Sequence, residues 1–251
     1  EGGDIYCASA SQMFHVPVEK HGVNGHLRQK GKISELALGY GGSIGALQAM
    51  GSREMNIPDE ELKPLVDGWR KANPRIVQFW RSVGDAAMKA VRERTTVRAG
   101  KVTFCCKDGV LFAKLPSGRT LAYIAPRLET GRFGSAVITY QSYDKTKKAA
   151  DEEEEAPVTR RWQREETYGP KIVENLTQAI ARDLLCAAMM NLEAAGYRIC
   201  MHIHDEAVIE MPIGQGSLEE ACRLMAIAPD WAEGLPMRAD GEDDLSFYRK
   251  T

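Results

Sequence analysis

The residues best suited to chemistry are His204, Asp205 and Glu206, which lie between two apolar runs at 197–203 and 207–211. This pattern predicts a β-hairpin with two adjacent carboxylates at its tip. Charged groups in apolar surroundings need a cation or a substrate to offset their desolvation. Because Mg²⁺ favours one or two carboxylates together with substrate phosphates, the tip could be a metal site for phosphoryl chemistry. An ordinary polar hairpin turn is an equally open interpretation.

A second group consists of Arg28, Lys32, Leu36 and Tyr40, which recur every fourth residue within a helical pattern. Residues four apart share one broad helix face, so this face carries two cations and an aromatic ring. Cations at this spacing repel mildly unless they hold an anion between them. The arrangement fits a nucleoside triphosphate, with the phosphates on the cations and the base against Tyr40. Spacing alone favours a solvated basic face.

Together the two motifs resemble those of the family A DNA polymerases, the DNA polymerase I-like enzymes, and of the phage-encoded branch in particular. The segment RQKGKISELALGYGG resembles motif B, a helix of the fingers, and MHIHDEAVIE resembles motif C. The resemblance extends to GGDIYCASASQMF before motif B, to GPKIVENLTQAIARDLLCAAM before motif C, and to the terminal FYRK. It covers most of the chain except the region around 100 to 165.

The resemblance implies a template-directed DNA polymerase that acts on primer–template DNA and deoxynucleoside triphosphates. The implied nucleotide-binding residues are Arg28, Lys32, Leu36 and Tyr40, where Leu36 replaces the aromatic residue of many members. The implied catalytic residues are Asp205, Glu206 and Lys32, with Asp205 and Glu206 as metal ligands. The implied DNA-binding residues are Gln178, Asn175 and His204. With Gln178 aligned on the template-contacting glutamine of the family, Asn175 is shifted by one position.

The complete site in this family holds two Mg²⁺ ions, which activate the primer 3′-hydroxyl and stabilise the leaving pyrophosphate. The second metal-binding aspartate belongs to motif A, which has no counterpart among the 27 residues before Arg28. Asp4 is no substitute, because it falls in the segment that follows motif A. We therefore expect about half of the metal site here, with an N-terminal polymerase portion carrying motif A as a partner.

The charge distribution is uneven. Residues 1–148 contain 23 Lys and Arg against 14 Asp and Glu, whereas residues 149–251 contain 10 against 21. The basic half suggests a polyanionic partner, and the acidic half suggests divalent cations or solubility. The six cysteines form no CxxC pair, which argues against a zinc cage and a disulfide framework. We expect a cytoplasmic protein, in a bacterial host if phage-encoded, and no membrane span.

The sequence predicts an α+β fold, with helical fingers and part of the antiparallel-sheet palm of a DNA polymerase I-like fold. The expected domains are fingers at 1–98, a hairpin-rich connection at 99–168 with an acidic loop at 151–155, and a C-terminal palm at 169–251 that contains the motif C hairpin. Predicted helices cover about 5–14, 25–40, 170–195 and 218–228, and two more start near Asp59 and Pro74. Residues 144–167 are predicted to be a polar loop.

Two other functions remain open. A catalytically incomplete DNA- and nucleotide-binding fragment would need a partner chain with motif A. A metallohydrolase could use His202, His204 and Asp205, because alternate strand residues share one face. A dinucleotide-binding fold is excluded, since the glycines that follow Gly39 miss the GxGxxG spacing and follow a helix.

Overall fold

The computed structural model describes residues 3–51, 57–131, 134–143 and 162–243, which form a mixed α+β structure. These residues make two compact units. The first holds the described residues up to Gly100, Phe104–Phe112 and the described part of 122–174. The second holds Lys101–Thr103, Ala113–Leu121 and the described residues from Asn175 onward. Within the described part of the chain, no helix has the length and apolar character needed to cross a membrane.

The helices begin and end at residues that suit their positions. Asp4 caps the first helix with its side chain, and Pro74 occupies the first turn of the fifth, where its missing N–H costs no hydrogen bond. Gly196, just beyond the sixth helix, has a positive φ of 87°. The α-helices are α1 (Ile5–Phe14), α2 (Arg28–Leu38), α3 (Ile44–Ala49), α4 (Asp59–Ala72), α5 (Pro74–Glu93), α6 (Gly169–Ala194) and α7 (Leu218–Met225).

The strands form two sheets. Six strands lie side by side in chain order in an antiparallel sheet, and the last two strands pair with each other. The strands are β1 (Thr96–Ala99), β2 (Val102–Lys107), β3 (Val110–Lys114), β4 (Thr120–Thr130), β5 (Ala136–Tyr143), β6 (Trp162–Thr167), β7 (Arg198–Ile203) and β8 (Glu206–Glu210). Short 3₁₀ turns occupy Gly25–Leu27 and Asp230–Ala232.

Most of the predicted elements are confirmed, with differences at particular boundaries. The helix predicted over 25–40 consists of a 3₁₀ turn followed by α2, and it ends at Leu38. Tyr40 therefore lies in the turn beyond the helix. Helix α3 was not predicted, and α7 ends at Met225. The acidic run at 151–155 and the terminal FYRK lie outside the described residues.

The polar loop predicted over 144–167 is wrong for its last six residues. They form β6, which pairs with β5 from Ile138 to Tyr143. The guanidinium of Arg164 donates hydrogen bonds to the Ala125 carbonyl, at 3.0 Å, and to the carbonyl and hydroxyl of Thr139, at 2.9 and 2.8 Å. Tertiary partners thus stabilise a strand whose polar sequence resembles a loop.

The core of the first unit contains a stacked pair of tryptophans. Trp69 on α4 and Trp80 on α5 are 5% exposed each, and their ring centroids are 5.8 Å apart with planes at 10°. Apolar side chains of α2, α3, α4 and α5 are also fully buried in this unit, namely Leu38, Leu47, Leu62, Val66 and Val83. This core supports the helix that carries the predicted nucleotide-binding residues.

The core of the second unit lies under the final hairpin. Its buried cluster consists of Leu192 on α6, Tyr197 just before β7, and Ala221 on α7. Apolar residues of β7, β8 and α7 pack against this cluster. The Tyr197 hydroxyl donates to Glu220 Oε2 at 2.8 Å and accepts from the Ser217 N–H at 3.1 Å. These bonds satisfy a buried hydroxyl and fix α7 close to the start of β7.

Candidate nucleotide and metal sites

Helices α1 and α2 cross at Gly31, at very close range. A Cβ atom at this position would lie 2.0 Å from the Tyr6 carbonyl oxygen and 2.9 Å from the Ala10 nitrogen. Only a residue without a side chain allows this approach. The close crossing is what brings Arg28 and Lys32, one on each side of Gly31, against the N-terminal end of α1.

Arg28 is held by Asp4. Its Nε donates to Asp4 Oδ2 at 2.6 Å, while Oδ1 of the same carboxylate accepts from the backbone N–H groups of Tyr6 and Cys7 at 2.9 and 3.1 Å. The hydrogen bond from Arg28 is the main reason that the pKa of Asp4 lies below its usual value, and the two backbone donors act in the same direction. One carboxylate thus caps α1 and orients a cation on α2.

The Tyr6 ring lies beneath both cations of the motif B-like helix. The Arg28 Cζ is 5.1 Å from the ring centroid, and the Lys32 Nζ is 5.9 Å from it. These distances allow cation–π attraction, which offsets the repulsion between two cations four residues apart. The predicted pair of cations is therefore assembled on one aromatic platform.

The other two predicted nucleotide-binding residues lie differently. Leu36 is 47% exposed on α2. Tyr40 is half-buried in the turn after the helix, and burial, together with the nearby charge of Glu174, raises the pKa of its hydroxyl. The next residue, Gly41, has a φ of 81°, and a Cβ there would lie 2.5 Å from the ring of Pro170. Gly41 thus fixes the turn that carries Tyr40.

Glu35 connects α2 to two other helices. Its carboxylate accepts a hydrogen bond from the Ser9 hydroxyl on α1. The same oxygen, Oε1, accepts from the Trp69 indole N–H on α4 at 2.9 Å. These two bonds connect α2 to α1 and to α4, so they hold the orientation of the helix.

The motif C-like segment forms the predicted hairpin. Strands β7 and β8 are antiparallel, Ile203 pairs with Glu206, and His204 with Asp205 makes a two-residue turn. His204 has a φ of 53°, in the left-handed region, where histidine is tolerated better than most residues. His204 and Asp205 are exposed and Glu206 is half-buried. The hairpin therefore presents carboxylate oxygens at its tip, the donors that Mg²⁺ prefers.

Helix α6 carries the predicted DNA-binding residues in the same compact unit. Gln178 is exposed and Asn175 is half-buried. One turn further on, Arg182 contacts the ring of His202 on β7, with Nη1 at 3.2 Å from Nδ1. The DNA-binding role of Gln178 remains a prediction.

Sequence reasoning missed three residues of these sites, namely Asp4 as a partner of Arg28, Tyr6 as the aromatic platform, and Arg182. A signal for the first was present, since an Asp immediately before a predicted helix is a typical N-cap. The geometry gives no support to the metallohydrolase alternative. In the described ranges, no group of three or more His, Cys, Asp or Glu could hold a metal ion.

Comparison with known proteins gives one informative similarity. Over 250 residues, which are 99% of this chain, the sequence is 47% identical to the DNA polymerase of Bacillus phage SP02. The chain spans 36% of the length of that polymerase. No family model matches the chain, and no solved structure matches it significantly. The chain is thus similar, almost end to end, to a portion of a phage DNA polymerase.

Proposed function

We propose that this chain is the C-terminal fingers-and-palm portion of a family A DNA polymerase of the phage type, which acts in the bacterial cytoplasm. The observation that carries the proposal is the placement of Arg28 and Lys32 over the Tyr6 ring, on a helix with the motif B pattern. It is supported by the 47% identity to a portion of a phage DNA polymerase.

In this proposal the triphosphate of the incoming deoxynucleotide binds at the N-terminal half of α2. Arg28 presents its Nη atoms to phosphate oxygens while Asp4 holds its Nε, and Lys32 adds a second cation one turn away. Both cations neutralise charge that develops on the phosphates during transfer. Leu36 borders the sugar, and Tyr40 borders the nascent base pair. Movement of the fingers would couple nucleotide fit to closure of the site.

The hairpin of β7 and β8 fits one side of a magnesium site. Asp205 and Glu206 supply adjacent carboxylates, and Mg²⁺ is often bound by one or two carboxylates with phosphates as the other ligands. When bound, the ions lower the pKa of the primer 3′-hydroxyl and neutralise the leaving pyrophosphate. His204 and Glu206 lie beside the primer terminus in this proposal, and Gln178 and Asn175 contact the DNA from α6.

A second form of the proposal is a DNA- and nucleotide-binding portion that becomes active only with a chain carrying motif A. Two features favour it. Strands β7 and β8 form a two-stranded sheet within the described residues, and Met201 on β7 is 47% exposed. Two-stranded sheets are marginal unless further strands or helices cover them. A strand with the second metal-binding aspartate would extend this sheet.

Primer extension tests both forms. The chain is mixed with a primed template, Mg²⁺ and four deoxynucleotides, with and without a polypeptide that carries motif A. The variant Asp205→Ala removes the proposed metal ligand, and Asp240→Ala is a matched control that removes an exposed carboxylate elsewhere in the same unit.

We expect extension with the complement, unchanged extension by Asp240→Ala, and a loss of several orders of magnitude for Asp205→Ala. Extension by the chain alone that Asp205→Ala abolishes would refute the need for motif A. Failure of the wild-type chain to bind primer–template DNA would refute the proposed function itself.

A further inference from the structure

Arg182 is an exposed cation on α6 whose side chain contacts the ring of His202. Its Nη1 lies 3.2 Å from His202 Nδ1 and 3.4 Å from His202 Nε2, and its Nη2 lies 3.4 Å from Nε2. The two residues join the helix to strand β7 within the second compact unit. The contact with His202 therefore orients the guanidinium of Arg182.

These distances indicate a stacked contact. The two nitrogens of an imidazole ring point away from each other in the ring plane, so a donor in that plane can reach only one of them. A guanidinium nitrogen that lies close to both must sit above the ring face. Arginine stacks readily on aromatic faces, and this leaves its N–H groups directed outward in the plane of the guanidinium.

The charge of Arg182 has no carboxylate partner among the ion pairs of the described residues. The neighbouring carboxylate, Asp183, is only 10% exposed and is engaged by Arg119 Nε at 2.5 Å and by the Ser117 hydroxyl at 2.5 Å. Arg182 is thus an ordered surface cation with donors directed into solvent. Its fork of N–H groups matches the geometry of a phosphate.

We propose that Arg182 binds a backbone phosphate of the primer–template duplex, with His202 as the residue that positions it. This inference rests on the proposed function and adds a DNA contact to it. Gln178 lies one turn before Arg182 on the same face of α6. Asp205 lies three residues after His202, at the tip of the hairpin that the contact supports. A phosphate contact here would fix the position of the duplex without reading its sequence.

The test is binding of a fluorescent primer–template duplex by the 251-residue chain, measured by anisotropy over a series of salt concentrations. The variants are Arg182→Ala, Arg182→Lys, His202→Ala and the Arg182→Ala/His202→Ala double variant. Arg223→Ala is the matched control, because it removes an exposed arginine of α7 in the same unit, where it pairs with Glu220 at 3.6 Å. Circular dichroism verifies that each variant is folded.

We expect Arg182→Ala to weaken binding about tenfold, the effect of one lost hydrogen-bonded charge contact. The slope of log affinity against log salt should fall by about 0.9, as for one lost phosphate contact. Arg182→Lys should keep the slope and lose part of the affinity. His202→Ala should weaken binding when Arg182 is present and have no further effect in the double variant.

Equal affinity and equal salt slope for Arg182→Ala and Arg223→Ala would overturn the phosphate contact. An equal effect of His202→Ala with and without Arg182 would overturn the positioning role. In both cases the wild-type chain still binds DNA and the proposed function stands. Absence of duplex binding by the wild-type chain would instead refute the proposed function, and this inference with it.

Discussion

The two candidate sites differ in how far the protein itself orders their charged groups. At the crossing of α1 and α2, Arg28 is bonded to Asp4 and lies over a ring, and the side chains of the pair are only 28% and 26% exposed. At the tip of the β7–β8 hairpin, Asp205 lies exposed in a two-residue turn. The first set of residues is preorganised by side-chain contacts, whereas Asp205 lies at an exposed turn.

This difference agrees with the two proposed ligands. A triphosphate is large and mobile, and cations fixed in advance reduce the entropy lost when it binds. A magnesium ion orders its ligands when it binds, because it requires nearly octahedral geometry and is coordinated by oxygens of the substrate and of several segments of the chain. We infer that the proposed nucleotide-binding groups lie in one short stretch of sequence, whereas the proposed metal site depends on groups outside the hairpin.

The largest effect is expected from a substitution at Gly31, where α1 and α2 are in closest contact. Gly31→Ala places a Cβ about where the Tyr6 carbonyl oxygen now is, since the two would be 2.0 Å apart. The helices must separate, and overpacking of this kind costs about 3 kcal/mol or more when backbone has to move. Urea unfolding should show this loss in the free energy of unfolding of the first unit.

Gly68→Ala is the matched control for that experiment. Gly68 lies inside α4, and nothing lies within 4 Å of a Cβ added there. Alanine should stabilise the helix at this position by about 1 kcal/mol. A similar effect of both substitutions, of either sign, would contradict the close crossing at Gly31.

A smaller effect is expected when one of the two cations is removed. Lys32→Ala should weaken deoxynucleotide binding about thirtyfold, because a charged hydrogen bond to phosphate contributes about 2 kcal/mol. Lys30→Ala should have little effect, since Lys30 lies over the Phe14 ring, 5.4 Å from its centroid, rather than over Tyr6. Isothermal titration of a deoxynucleotide into the chain bound to primer–template measures both, and equal losses would contradict the assignment of Lys32.

Local patterns in the sequence predicted the parts of both sites that depend on local structure. The boundaries of α1 and the start of α5 are confirmed, because the helical pattern at 5–14 and the N-terminal Pro74 are local signals. The hairpin of β7 and β8 is confirmed as well, since apolar runs flank a short polar turn. The predicted cation pair of α2 lies on one face for the same reason.

Contacts between distant residues could not be predicted from such patterns. Asp4 and Arg28 are 24 residues apart, and their ion pair depends on the helix crossing that Gly31 permits. The stacking of Arg182 on His202 depends on how β7 packs against α6. The end of α2 at Leu38 also escaped prediction, because Tyr40 continued a spacing of four that the glycine turn interrupts.

The ion pair between Asp4 and Arg28 should make the stability of the protein depend on pH. Because Arg28 and the backbone donors hold the pKa of Asp4 below its usual value of 3.8, the carboxylate stabilises the fold above that pH. This contribution is lost as the pH falls through the lowered pKa. Asp4→Asn keeps an oxygen for the helix cap and removes the ion pair, whereas Asp4→Ala also removes the cap, at a cost of about 1 kcal/mol.

Unfolding of the wild type and of both variants at pH 7, 5, 4 and 3 separates these contributions. The free energy of unfolding of the wild type should exceed that of Asp4→Asn at pH 7, and this difference should disappear as the pH falls below about 4. The difference in free energy of unfolding between the two variants should not change with pH. A gap between wild type and Asp4→Asn that stays constant to the lowest pH would contradict the ion pair as its source.

The smallest effect is expected at the hairpin tip and tests whether its backbone is strained for function. His204 adopts a φ of 53°, a conformation that costs a residue with a Cβ about 1 kcal/mol and costs glycine little. His204→Gly should therefore leave the free energy of unfolding unchanged or raise it by less than about 1 kcal/mol, because glycine gains entropy when unfolded. If the imidazole contacts the primer terminus, the same variant should bind primer–template DNA more weakly. If unfolding shows that His204→Gly is more stable and anisotropy shows that it binds DNA more weakly, the turn keeps a strained histidine for binding. Loss of both would show that His204 holds the hairpin together, and the functional interpretation of its strain would fail.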